Sequence, residues 1–303
     1  MFTARNKGRL ALGAVVVGAA LALSGCASGD PLDSGSESVA SETITVGSQA
    51  YYSNEIIAEI YAQALENAGF TVERKFNIGQ RDAYLPSLEN GDVDLFPEYT
   101  GNLLQYYSPD TTATTADAVY AELKDALPAS LTVLDQSAAT DQDSYNVTKE
   151  FSDANNLTSL ADLSKVTVPL TLGGNAELEE RPYGPAGLLS VYGATVGFSA
   201  TGDTTVEDLL AGTINIANVY SADPRIQTEN LVTLADPKGL FLASNVVPLV
   251  NKSIADSIAT VINAVQAKLT PEGLVALNVQ STVDQKSSAD IAKAWLQDSG
   301  LLK

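Results

Sequence analysis

Hydrophobic residues recur along this chain in two alternating rhythms. Segments 43–47, 70–77, 93–96 and 131–135 carry the short apolar runs of β-strands. Between them the spacing becomes helical. Ile56, Ile57, Ile60, Tyr61, Ala64 and Leu65 share one face, with Ser53 or Asn54 as N-cap and Gly69 just past the end. Segments 82–89 and 116–127 read as further helices, the second closed by Pro128. Strands alternating with helices predict an α/β fold with a parallel sheet.

A second unit of the same kind follows the polar stretch 136–144. It contains a short helix at 160–163, a buried strand at 166–172, a helix at 187–192 and strand-like residues 195–198. A helix at 206–211, a strand at 214–219 and a short apolar run at 231–234 complete it. Residues 245–250 read as a second crossing. The tail is helical: Ile254, Ile258, Val261, Ile262 and Val265 lie on one face, Thr270-Pro271 opens another helix, and a last one carries Ile291 and Trp295.

One segment places chemistry. The turn Asn90-Gly91 feeds the strand 93–96, which the pattern ends at Pro97. Tyr99 and Thr100 are thereby delivered to a helix starting near Gly101. In open α/β sheets ligands sit beyond the carboxyl ends of strands, so Tyr99 is an aromatic ring where a small molecule would be held. The same tyrosine would serve equally well as core beside a strand end.

Composition narrows the class. Thirty-seven acidic side chains against 17 basic ones give a net charge of −20, and Arg5, Lys7 and Arg9 take three of the basics. That balance argues against nucleic acid and anionic lipid headgroups as partners. The apolar run 10–23 behind those basics is too short to span a bilayer, which takes ~20 residues, and fits a signal peptide over residues 1–25. It ends in Leu23-Ser24-Gly25-Cys26, the pattern of a bacterial lipobox, which makes Cys26 the lipidation site. Cys26 is the sole cysteine, so no intramolecular disulfide forms. Residues 26–42, rich in Ser, Gly, Asp and Glu, read as a flexible tether. The mature chain is then expected on the extracytoplasmic face of a cell membrane.

Enzyme classes are narrowed by what is missing. The chain has no histidine, which removes Ser-His-Asp and Cys-His mechanisms and most zinc sites. It has no Gly-x-Ser-x-Gly elbow and no phosphate-cradling glycine loop. A paired-carboxylate glycosidase stays formally open. Asp141-Gln142-Asp143 hints at calcium, but a calcium loop wants Gly and Glu where Asn146 and Ser152 stand. No cofactor or metal is expected.

Five segments, in order and spacing, resemble the substrate-binding proteins of ABC importers for quaternary ammonium compounds: glycine betaine, choline, carnitine and their relatives. They are Thr45-Val46-Gly47-Ser48, residues 90–102, residues 145–151, Glu180-Arg181-Pro182-Tyr183-Gly184 and Val219-Tyr220-Ser221-Ala222-Asp223. The resemblance implies a type II periplasmic binding protein: two Rossmann-like lobes joined by two crossovers, with a ligand cleft between them. Lobe 1 would comprise 43–136 plus 246–303 and lobe 2 would comprise 137–245. It also implies a monomer that delivers its ligand to importer transmembrane subunits.

A quaternary ammonium has no N–H to donate, so aromatic faces must hold it, at ~0.5–2 kcal/mol per ring. Micromolar binding needs about −8 kcal/mol. By resemblance the cage residues are Tyr99, Tyr145 and Tyr220, with Asp143 adding a carboxylate near the cation. Arg181 matches the arginine that grips a ligand carboxylate. Ser48, Gln49 and Asn102 complete the expected contacts. Three positions depart from the family pattern: Gln49 where lysine is frequent, Asn102 where threonine is frequent, and Ser244 where a further cage tyrosine is expected. Tyr51, Tyr52 or Phe241 are the candidates to fill that last place. The readings left beside this one are the same fold with an amino acid or another compatible solute, and an anchored hydrolase.

Overall fold

The computed structural model describes residues 43–302; the expected signal peptide, Cys26 and the tether lie outside them. The described elements, in chain order, begin with β1 (Ile44–Gly47), α1 (Tyr52–Asn67), β2 (Val72–Lys75), α2 (Arg81–Glu89), β3 (Leu95–Tyr99), α3 (Thr100–Tyr107), α4 (Ala116–Ala126) and β4 (Leu131–Val133). The chain then crosses to β5 (Asp143–Val147), α5 (Lys149–Asn155), β6 (Thr171–Gly174) and α6 (Pro185–Gly187), the last continued by a π-helical turn, Leu188–Tyr192. Next come β7 (Gly197–Ala200), α7 (Thr205–Ala211), β8 (Ile216–Tyr220), α8 (Arg225–Thr228) and β9 (Val232–Thr233). After the return crossing stand β10 (Val246–Asn251), α9 (Ala255–Gln266), α10 (Pro271–Thr282) and α11 (Ser288–Asp298).

Two five-stranded sheets result, ordered β2-β1-β3-β10-β4 and β7-β6-β8-β5-β9. The three strands at one end of each are parallel, while β10 and β5 run antiparallel to their neighbours. The parallel sheet expected from the strand–helix alternation is therefore corrected to two mixed ones. The physical reason is the crossovers: each reversed strand has just arrived from the other lobe and enters its sheet from the cleft end. The two connections also pair with each other, through a bridge between Thr140 and Asn245 and a bond from Val246 N–H to the Ala139 carbonyl.

Each sheet is covered on both faces. In lobe 1, α1 packs against α9, α10 and α11 over one face. Tyr84, Leu88, Phe96, Leu103 and Val119, from α2, β3, α3 and α4, cover the other. Lobe 2 has a core around Leu160, Leu172, Leu188 and Ile216, with a smaller one around Val206 and Val219.

Three local expectations change. The strand does not stop at Pro97; β3 runs to Tyr99, and Pro97 sits opposite Pro248 of β10. Thr100 N–H donates to the Asn245 carbonyl. Counting along the ladder from that bond, the proline pair occupies a non-hydrogen-bonded position of the β3–β10 ladder, which neither missing N–H breaks; toward β4, Pro248 leaves the Leu134 carbonyl to the Tyr120 hydroxyl. Helix α1 starts at Tyr52, so Ser53 and Asn54 lie inside it. The Asn54 side chain accepts from Gln49 N–H and donates to the Pro97 carbonyl, tying the β1 loop to β3. Residues 166–170 are not strand; β6 begins at Thr171, and Val168 is exposed.

Candidate ligand-binding site

The strand ends of the two lobes face each other across a cavity that is drawn tightly closed, with about 30 Å³ of internal space. From lobe 1 it is lined by Gln49, Tyr51, Gln80, Arg81, Tyr99 and Asn102. The first crossover contributes Asp141. Lobe 2 supplies Asp143, Asn175, Glu177, Leu178, Arg181, Tyr183, Asn218 and Tyr220. β5 runs opposite to β8, so its first residue, Asp143, lies beside the last residue of β8, Tyr220. Antiparallel insertion is what brings these two together.

Four tyrosines from separate regions of the chain line the cavity. Tyr99 ends β3, and its hydroxyl accepts from Asn54 Nδ2 at 3.4 Å. Tyr51, just before α1, lies with its ring centroid 5.0 Å from that of Tyr220, across the cleft. Tyr51 Oη donates to Asp141 Oδ2 at 3.2 Å, and Ala222 N–H to Asp141 Oδ1 at 3.0 Å. Burial pushes the phenols of Tyr51, Tyr99, Tyr183 and Tyr220 well up, so all four remain neutral. Burial likewise raises Asp141, to about 7, against the opposing pull of its hydrogen bonds to Ala222 and Tyr51.

Asn102 joins the lobes. Its Nδ2 donates to Asp143 Oδ2 at 2.6 Å and to Tyr183 Oη at 3.1 Å, while Asn218 Nδ2 donates to Asp143 Oδ1 at 2.8 Å. Ser244 fixes Asn102 from behind. Ser244 Oγ accepts from Gly101 N–H at 3.1 Å and Asn102 N–H at 3.3 Å, and donates to Asn102 Oδ1 at 2.7 Å. The side chain standing where a cage tyrosine was expected is therefore an N-terminal cap for α3, supplied from the second crossover. Gly101 permits this approach: a Cβ there would lie 2.7 Å from the Ala243 carbonyl oxygen.

Six of the eight expected contact residues line the cavity: Gln49, Tyr99, Asn102, Asp143, Arg181 and Tyr220. Tyr145 does not. It shares a strand face with Asp143 but lies two residues deeper, fully buried, donating to the Tyr183 carbonyl and packing edge-on against Phe241. The ring that reaches the cavity above it is Tyr183. Tyr183 rides on a turn closed by Gly184, where a Cβ would meet the Leu178 carbonyl oxygen at 2.1 Å. Ser48 is also withdrawn from the cavity. Its Oγ accepts from Asn77 N–H and donates to the Gln49 carbonyl, which shapes the loop after β1. Of the proposed replacements for a cage residue, Tyr51 faces the cavity, whereas Tyr52 and Phe241 do not line it.

Arg81 was not anticipated, although a signal existed: a cation in the first turn of a helix opposes the dipole and needs a partner. That partner is Glu98, wholly buried on β3. Arg81 Nε and Nη2 donate to its two oxygens at 2.8 and 2.9 Å, and Glu98 also accepts from Tyr84 Oη and from the Tyr99 N–H. Arg181 reaches across the cleft, its Nη2 3.5 Å from Asp82 Oδ2 of α2.

Comparison with known proteins agrees with this architecture. Residues 42–298 match the family described as the substrate binding domain of ABC-type glycine betaine transport systems. The glycine betaine-binding protein YehZ of Escherichia coli is 27% identical over 283 residues, covering 87% of this chain and 93% of that one. The carnitine transport binding protein OpuCC of Listeria monocytogenes is 25% identical, covering 84% and 86%. A crystal structure of a glycine betaine/carnitine/choline ABC transporter superposes with a TM-score of 0.70 at 20% identity, over 86% of this chain and 100% of that one. The family consists of two-lobed solute-binding proteins and not of enzymes. This chain belongs to the substrate-binding domains of ABC-type glycine betaine transport systems.

Proposed function

We propose that this chain is an extracytoplasmic lipoprotein, anchored through Cys26, that captures a quaternary ammonium compound and presents it to the membrane subunits of an ABC importer. The observation that carries the reading is the convergence of Tyr51, Tyr99, Tyr183 and Tyr220 with Asp141 and Asp143 on one cavity. Rings supply polarisable faces to a cation that cannot donate hydrogen bonds, and the carboxylates balance its charge at short range. Lobe 1 (43–136 and 246–303) contributes Tyr51 and Tyr99, while lobe 2 (137–245) contributes Tyr183, Tyr220 and both aspartates. A complete cage then exists only when the lobes are closed, and that closed form is what the importer would recognise. Asn102, bonded to Asp143 and Tyr183, is the polar latch between them.

The test is a thermal-shift screen of the full chain, purified in non-ionic detergent, against glycine betaine, choline, carnitine and a set of amino acids. A ligand that binds only the native state raises the melting temperature. A shift with at least one quaternary ammonium compound is expected. Shifts with amino acids alone would transfer the site to that ligand class. The anchor is tested separately: Cys26→Ser is expected to move the protein from the membrane fraction to the soluble one.

A further inference from the structure

We propose that the cavity selects ligands of net positive charge, a quaternary ammonium alcohol of the choline class in preference to a zwitterionic betaine or carnitine. This rests on the quaternary-ammonium reading above and concerns what the rest of the ligand carries. A betaine needs a cation for its carboxylate, and both arginines at the cavity already face protein carboxylates. Arg81 gives two bonds to Glu98 in a buried fork. Arg181 is set against Asp82 across the cleft. Among the described residues no lysine lines the cavity, and Gln49 stands where the family pattern favours one.

The opposite sign is in surplus. Asp141, Asp143 and Glu177 all line the cavity, and among the described residues none forms an ion pair with lysine or arginine. Asp143 is held by two neutral amides, Asn102 and Asn218. Asp141 is held by a phenol and a backbone N–H. Charges in a partly desolvated cleft interact strongly, so a ligand carboxylate entering here is repelled while a lone cation is not. Hydrogen bonding points the same way. Asn218 Oδ1 is buried without a partner among the described residues, and the cavity-facing carboxylates are acceptors only. A ligand hydroxyl brings a donor to these acceptors, which glycine betaine lacks; carnitine has one too, so against carnitine the selection rests on the charge of its carboxylate.

Calorimetric titration of the full chain at pH 7.5 with choline, glycine betaine and carnitine tests this. Choline is expected to bind at least tenfold more tightly than either zwitterion. In Asp143→Asn that ratio is expected to fall at least fivefold. Glu177→Gln, on a half-exposed side chain, is expected to lower it in the same direction and guards against misfolding of the first variant. Glycine betaine or carnitine binding as tightly as choline would overturn the charge selection and leave the quaternary-ammonium reading standing. A ratio unchanged in both variants would also overturn it. Amino-acid binding with no response to any of the three would overturn both.

Discussion

Replacing Asp141 by asparagine should separate folding from binding, because the same carboxylate opposes one and serves the other. Asp141 is 2% exposed and, without a ligand, is raised from an ordinary 3.8 to about 7 by burial. The folded state therefore keeps a proton that the unfolded chain releases near pH 4. Unfolding free energy then falls as pH rises from about 4 to about 7, since over that window the native state binds more protons. A rise of that size corresponds to about 4 kcal/mol of stability lost by pH 8. Asparagine carries no such cost, and its amide can still accept from Ala222 N–H while donating to the Tyr51 hydroxyl. In scanning calorimetry without ligand, Asp141→Asn is expected to melt higher than wild type at pH 8, by about 5 °C or more. The two proteins should converge near pH 4. Choline binding moves the other way. A carboxylate ~5 Å from the ammonium at an effective dielectric constant of ~20 is worth about 3 kcal/mol, so the variant should lose at least tenfold in affinity at pH 8. An Asp141→Asn protein that is no more stable than wild type at pH 8 would refute the buried-charge argument. Undiminished choline affinity would remove Asp141 from the cation site.

Other contacts carry their own expected outcomes. Tyr99→Ala should weaken ammonium binding at least tenfold by calorimetry, whereas Tyr145→Phe should leave affinity within threefold and lower stability in urea by about 1 kcal/mol, the worth of one buried hydrogen bond. Arg81→Ala strands Glu98 in the core, and urea unfolding should show a loss of about 3–5 kcal/mol. Ser244→Ala should cost about 1 kcal/mol by removing the cap on α3 and weaken binding through the released Asn102. Arg181→Ala should relax closure by losing Asp82; small-angle scattering of the unliganded variant is expected to show a larger radius of gyration than wild type.

Much of this molecule is legible in its sequence. Strand and helix periods located most elements, though not the short helices α5 and α8, because each amphipathic segment must bury its own apolar face wherever it packs. Tyr99 was legible for a related reason: a strand end followed at once by a helix start is a local feature, and ligands collect there. Asp143 and Tyr220, the first residue of β5 and the last of β8, were found through the family resemblance. The register that sets them side by side is tertiary.

What the sequence could not rank was depth along a strand. Asp143 and Tyr145 share a face, and pattern alone treats them alike. Which one meets the cavity depends on what covers the strand from outside, here Tyr183 and Phe241, nearly 40 and 100 residues further along the chain. Ser244 is the same lesson reversed. A small polar residue where a ring was expected looked like a gap, until the second crossover brought its hydroxyl to the open N-terminus of α3. Apolar periodicity is written locally and survives in sequence. The meeting of two lobes pairs residues from distant segments, so the share of each in the site was decided only when the chain had crossed over twice.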